Sequence, residues 1–174
     1  EAKFPLINSN YDFSDTILTG KIKPFDIFKV SGIKIGVYGL GIELKGLVTE
    51  KNYGKTIFND PLQTALKMES FLRNDKKCDL VICLSHLGYK YRNEKISDQV
   101  LAAETYNTDL VIGGHTHTYL EKPEEMINKA GKKVIINQAS WGGLVLGKIE
   151  FLFEAGKKNF EIVTIQNIEV KNEA

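Results

Sequence analysis

A disulfide framework, a membrane span and a one-sided charge are all lacking in this sequence, and each lack removes a class of protein. The 174 residues include two cysteines, Cys78 and Cys83. Both fall in what reads as one strand, and at about 3.3 Å per residue they are too far apart to bridge each other. They read as buried thiols and leave the redox compartment open. Lys and Arg total 23 against 22 for Asp and Glu, a formal net charge of +1. That balance points to neither a nucleic-acid groove nor an anionic membrane surface. No apolar run approaches the roughly 20 residues that cross a bilayer as a helix. No internal repeat and no low-complexity tract is present, and the length suits one domain with a real core.

Histidine is the scarcity that informs most. The chain has three, His86, His115 and His117, all inside the stretch from Cys78 to Tyr119. Each sits at or just past the end of a short apolar run. The runs, Asp79 to Leu84 and Asp109 to Ile112, are rich in Leu, Val and Ile and do not alternate, which suits strands buried on both faces. Between them Ser97 can cap a helix carrying Val100, Leu101 and Ala103, with Asp98 in its first turn. Strand, helix and strand make a βαβ unit with a right-handed crossover. Its two strands then end at the same edge of the sheet, where open α/β sheets bind ligands. His86 is thereby expected to meet the His115/His117 pair. Gly113 and Gly114 permit a tight turn, and that turn lets His115 and His117 splay toward neighbouring points instead of pointing the same way. Imidazole is the commonest metal ligand and suits zinc, iron and nickel. Three imidazoles are half of a metal site, because a two-metal hydrolase centre normally adds carboxylates.

The rest of the chain supplies the frame. A strand is expected near Phe4 to Asn8, and polar irregular chain from Asn10 to Pro24. Phe25 to Val30 and Ile33 to Leu40 flank Ser31-Gly32, which reads as a two-residue hairpin turn. Gly39 to Lys55 reads as a solvated loop. Asn59-Asp60-Pro61 is a helix start, and Leu62, Ala65, Leu66 and Leu72 form an apolar stripe that Glu69 interrupts. Tyr89 to Asn93 reads as an exposed basic turn, with Lys90 and Arg92 as the candidates to touch a phosphate. Lys122 to Lys133 reads as a connection, Val134 to Asn137 as a strand, and Gln138 to Gly143 as a loop in which Trp141 either shields the core, the favoured reading, or stacks on a base. Leu144 to Phe153 and Phe160 to Ile168 form a closing hairpin around a turn at 155–159.

Leu84-Ser85-His86-Leu87-Gly88 and Gly113-Gly114-His115-Thr116-His117 resemble motifs of the calcineurin-like metallophosphoesterases, specifically the 5′-nucleotidase branch. Phe4 to Asn10 and Ile33 to Leu40 look like two further strand segments of the same domain. The resemblance implies an α/β fold, part of a four-layer α-β-β-α sandwich, and a centre of two divalent metal ions (Zn, Mn, Fe or Co) bridged by an aspartate. It implies that His86 and His115 ligate one metal and His117 the other, a position where some 5′-nucleotidases carry a different side chain. The family's remaining motifs, D-x-H, G-D-x-x-D/N and G-N-H-E/D, do not occur in this sequence. The expectation is therefore the C-terminal half of one metallophosphatase domain, residues 1–174, whose partner is the N-terminal half with the catalytic histidine. The expected function is metal-dependent hydrolysis of phosphate esters, nucleotide 5′-phosphates foremost, by the complete protein, with the isolated chain inactive. A phosphodiesterase of the same superfamily, or a non-catalytic binding or assembly module that keeps the fold, are the alternatives. A periplasmic or cell-envelope location accompanies the resemblance.

Overall fold

The computed structural model describes residues 2–154 and 160–170. Strand β1 is Tyr11–Asp12. Strands β2 (Phe25–Val30) and β3 (Ile33–Gly41) form the expected hairpin. Its turn residues Ser31 and Gly32 have φ of 49° and 86°. Two positive φ values in a two-residue loop give the turn whose twist matches that of the strands. A single helical turn, α1 (Glu50–Tyr53), and the short β4 (Ile57–Phe58) follow, β4 pairing with β1. Helix α2 (Pro61–Ser70) starts as expected, with the Asp60 carboxylate accepting from Gln63 N at 2.7 Å. It runs into one π-helical turn, Phe71–Asp75.

The centre of the fold is the next unit: β5 (Leu80–His86), α3 (Asp98–Glu104) and β6 (Leu110–Ile112). Ser97 caps α3, its hydroxyl accepting from Val100 N at 3.3 Å. The edge strand β7 (Glu124–Ile127) and then β8 (Lys133–Asn137) complete a six-stranded sheet in the order β2-β3-β5-β6-β8-β7. The four inner strands β3, β5, β6 and β8 run parallel, and β2 and β7 are antiparallel to them. The register pairs Gly41 with His86, Leu84 with Ile112, and Ile112 with Asn137, so the carboxyl ends of the inner strands lie side by side. A separate hairpin, β9 (Val145–Phe153) and β10 (Phe160–Glu169), is tied to β8 by two 3.0 Å hydrogen bonds between the Asn137 and Asn167 amides.

Helices α2 and α3 cover one face of the sheet. Leu72 and Leu101 pack there with Tyr38, Val81, Cys83, Val111 and Ile136 in one buried cluster. Full burial of each aliphatic side chain contributes about 2 kcal/mol. On the opposite face Leu84 and Ile112 remain 39% and 43% exposed. The architecture is mixed α/β around a mixed sheet, as the sequence leads one to expect. Among the described residues no helix is long and apolar enough to cross a membrane.

Several local expectations need correction. Phe4 to Asn8 is not a strand. Ile7 makes one isolated bridge to Lys23, while Phe4 and Leu6 stay exposed, and Pro5 has no N–H to extend a ladder. The stretch read as a connection after Lys122 contains β7. Its charges are those of an edge strand, where Glu125 meets Lys133 at 2.7 Å and carboxylates discourage further pairing. The stretch read as a loop after Gly39 begins inside β3 and later holds α1. Cys78 precedes β5 instead of lying in it, and both cysteines are free and buried. The hairpin turn at 155–159 lies outside the described residues.

Candidate metal centre

His86 is the last residue of β5, and Gly113 to His117 leave the end of β6 directly. The adjacency of these two strands brings their histidines to one edge. The His86 and His115 rings lie edge to face with centroids 5.1 Å apart. His117 points elsewhere: its ring is nearly parallel to the Trp141 indole, 5.9 Å away with 16° between the planes. The splay comes from the backbone. His115 and His117 have φ of 73° and 54°, left-handed values that cost a side-chain-bearing residue roughly 1–2 kcal/mol. Strain of this kind persists only where the surroundings enforce it, and it concentrates at functional sites.

Close approach favours glycine at both positions of the turn, most strongly at Gly113. A Cβ on Gly114 would sit 3.2 Å from His86 Nδ1, and one on Gly113 would overlap Asp98 Oδ2. Beneath the turn lie two fully buried polar side chains, Asp98 and Gln138. The Ser85 hydroxyl donates to Asp98 Oδ1 at 2.5 Å, and Gln138 donates to Gly114 O at 2.8 Å. Burial pushes the Asp98 carboxyl up to about 7, against the lowering pull of its polar neighbours.

The electrostatics favour neutral imidazole at His115. Burial lowers its pKa first, and the positive potential of His86, Lys95 and His117 lowers it further. A neutral ring keeps a lone pair free for a cation. The His86/His115 pair has the donor chemistry for part of a coordination sphere, two imidazoles side by side at one strand edge. Among the described residues no group of three or more His, Cys, Asp or Glu side chains is close enough to hold an ion. A cavity of about 420 Å³ opens beside His86, walled by Tyr11, Leu84 and Ile112.

Four features of the site were not read from the sequence. Trp141 does not shield the core; it is 61% exposed and covers His117. Lys90 and Arg92 are exposed, as expected of a basic turn; what was not read is that the cation felt at His115 is Lys95, seated 4.7 Å over the Tyr91 ring. Asp98 appeared only as a first-turn acid and Gln138 as a loop residue. The signal for Asp98 was its place in the helix that links the two histidine strands. Gln138 carried none, because its partners, two backbone groups and the Thr116 hydroxyl, belong to a turn that the sequence does not pair with it.

Residues 5–119 match the calcineurin-like phosphoesterase family profile. The chain is 30% identical to the trifunctional nucleotide phosphoesterase protein YfkN of Bacillus subtilis over 98% of its own length and 13% of that protein's. It is also 30% identical to a 5′-nucleotidase of Vibrio cholerae, covering 91% of this chain and 32% of the relative. Among solved structures, the 5′-nucleotidase precursor of Thermus thermophilus superposes with a TM-score of 0.76 at 27% identity, over 96% of this chain and 33% of that one. The chain thus spans a third or less of the length of these proteins.

Proposed function

The chain belongs to the calcineurin-like phosphoesterase family, and from that premise we propose that it supplies the histidine half of a dinuclear metal centre in a phosphatase acting on nucleotide 5′-phosphates. The observation behind this reading is the meeting of the His86 and His115 rings, 5.1 Å apart at the carboxyl edge of the sheet. Both residues lie inside the segment that matches the family. In this reading His86 and His115 hold one divalent ion and His117 the other; zinc, manganese, iron and cobalt all suit such donors.

When bound, the two ions would polarise the phosphoryl group and acidify water near it. The chain's own part is narrower. Burial first, and then the charges around it, lower the pKa of His115, a shift toward the neutral ring that a metal donor needs. Coordinated imidazoles have no free lone pair and do not serve as general bases. The bridging carboxylate and the catalytic histidine would come from an N-terminal half of the same domain, and residues 1–174 by themselves would be inactive. A periplasmic or cell-envelope location belongs to the same reading.

The second reading is a phosphodiesterase of the same superfamily, and the description of one relative as a trifunctional nucleotide phosphoesterase is compatible with either class of ester. The test is phosphate release by the complete protein from nucleoside 5′-monophosphates and from a nucleoside cyclic phosphodiester, with manganese, zinc or cobalt supplied. Monoester turnover that disappears with His86→Ala or His115→Ala supports the proposal. Turnover untouched by both substitutions sinks it, and diester turnover alone transfers it to the second reading.

A further inference from the structure

We propose that Asp98 and Gln138 are positioning residues of this centre: a buried carboxyl and a buried amide that together fix where the His86 strand end stands relative to the His115/His117 turn. The inference rests on the reading of these histidines as metal donors, and it adds the device that would hold them in place.

Asp98 and Gln138 are 0% and 1% exposed and come from different elements, the first residue of α3 and the residue after β8. Asp98 acts on the His86 side. Its Oδ1 accepts the Ser85 hydroxyl at 2.5 Å, and that same hydroxyl oxygen accepts from Leu87 N at 3.2 Å. Ser85 and Leu87 are the neighbours of His86 on either side. One hydroxyl, anchored to a buried carboxyl, therefore fixes the backbone on both sides of the histidine.

The other oxygen of Asp98 reaches under the second motif. Oδ2 has no hydrogen-bond partner among the described residues, and it occupies the space that a Cβ on Gly113 would need. The carboxyl is thus a spacer between the two histidine loops. A longer or shorter side chain at position 98 would move one loop against the other.

Gln138 acts on the other loop. Its amide donates to Gly114 O at 2.8 Å. Its Oε1 accepts from the Thr116 hydroxyl at 3.0 Å and from Thr118 N. Gly114, Thr116 and Thr118 are the residues before, between and after His115 and His117. A single side chain therefore bonds the turn at three alternate positions, and the two between them are the left-handed histidines. Left-handed backbone at a histidine is unfavourable alone and survives where hydrogen bonds over-determine it. The Thr116 hydroxyl also accepts from Tyr89 N at 3.0 Å, so the Gln138 network reaches the chain that follows His86. Side chains behind metal ligands tune affinity by orienting those ligands, and their loss typically weakens metal binding by about 10- to 100-fold.

The experiment follows the rings directly. In protein labelled at histidine, the three imidazoles give few enough resonances for a cross-relaxation peak between His86 and His115 ring protons to be resolved. Cobalt affinity is titrated on the same samples. Asp98→Ala and Gln138→Leu should each weaken the ring–ring peak by at least about fivefold and cobalt binding by about tenfold or more. Asp98→Asn and Gln138→Glu, which keep part of the hydrogen bonding, should restore much of both. Thermal melting identifies any variant that has unfolded, and the conservative pair then decides. An unchanged peak and unchanged cobalt affinity in folded Asp98→Ala and Gln138→Leu would overturn the proposal. A peak that collapses in a protein which binds no cobalt even unsubstituted would uphold the positioning role and remove the metal reading instead.

Discussion

At the amino ends of the parallel strands, the charged side chains are largely buried and almost completely matched; at the carboxyl ends, three partly or well exposed histidine rings stand above a buried, hydrogen-bonded support. The amino edge is organised by two side chains of the α2 region. Arg73 donates to Cys78 O at 2.9 Å, Asp79 O at 2.7 Å and Asn107 O at 3.0 Å, and it pairs with Asp109; its Nε alone lacks a partner among the described residues. Glu69, 1% exposed, accepts from Tyr106 N, Asn107 N, Thr108 N and the Thr108 hydroxyl at 2.8–3.0 Å. At the carboxyl edge none of the three imidazoles has a hydrogen bond among the described residues, and Asp98 keeps one oxygen unpaired. The lesson is that polarity alone does not mark the functional edge. Burying charge is stabilising only when it is matched, and the amino edge achieves this with two side chains that serve the backbone around them.

The largest effect that should break this contrast is at Glu69. Replacement by alanine takes the acceptor from three backbone N–H groups, those of Tyr106 and Asn107 part-buried and that of Thr108 buried, at roughly 1–3 kcal/mol for each group left unpaired, while the Thr108 hydroxyl keeps the Tyr38 hydroxyl at 2.9 Å. Water entering the space will offset part, leaving a loss of about 4 kcal/mol, read by urea unfolding. Cobalt affinity of the protein that remains folded should be unchanged. A Glu69→Ala variant as stable as the parent would mean that the amino edge is not the matched one.

Next comes Asp98, whose carboxyl is raised from 3.8 to about 7. Its folded state holds the proton more tightly than the unfolded chain does. The stabilisation is therefore complete below about pH 4 and is lost as the pH rises through the window from about 4 to 7. Every tenfold gain in proton affinity corresponds to about 1.4 kcal/mol, so after discounting for residual solvation the span is roughly 3 kcal/mol. The amide of an Asp98→Asn variant does not titrate. The stability difference between the parent and that variant should therefore change by the same amount between about pH 4 and 7.5, the parent losing ground as pH rises. A pH-independent difference would show that the carboxyl is already well solvated or paired.

How much of this was legible beforehand follows the range of the interactions. The β5-α3-β6 unit was readable because its determinants are local: unbroken apolar runs, Ser97 as a cap, and a crossover whose hand is fixed. Convergence of His86 with His115 followed from that topology alone. The hairpin at Ser31-Gly32 and the start of α2 at Asp60-Pro61 were readable for the same reason. What was missed depends on distant partners. Glu69 broke an apolar stripe on paper, yet it is the most fully matched acid among the described residues, because its donors lie on the loop before β6. The strand β7 hid behind its charges, which an edge strand carries outward. Trp141 was expected to shield the core, whereas its ring lies exposed against His117. Gln138 had no signal, since nothing in the sequence links an amide after β8 to a turn after β6.

The contrast sharpens further at His115. The ring is partly exposed and makes no hydrogen bond among the described residues, so His115→Ala should alter unfolding free energy by no more than about 0.5 kcal/mol. In the complete protein the same substitution should reduce turnover by at least about a hundredfold, equivalent to about 2.7 kcal/mol of activation free energy. Stability and turnover falling together would place His115 with Glu69, as a residue of the frame.

The smallest effect tests whether proximity to the site is enough to make a residue functional. Ser97 lies one residue before Asp98 and close to the histidine loops, but its hydroxyl is spent on Val100 N at 3.3 Å, capping α3. Loss of a serine cap typically costs about 1 kcal/mol. The bond here is long, and the seven residues of α3 are held chiefly by burial of Leu101 and Ala102. Ser97→Ala should therefore lower stability by about 1 kcal/mol or less and leave the His86–His115 ring contact and cobalt affinity within about twofold of the parent. Because Asp98 begins the helix that Ser97 caps, a large loss of cobalt affinity in Ser97→Ala would mean that the carboxyl is placed by the cap and not by its own bond to Ser85. The device holding the histidines would then extend through the whole first turn of α3, and the boundary between the frame and the site would have to be drawn one helix turn further from the metal edge.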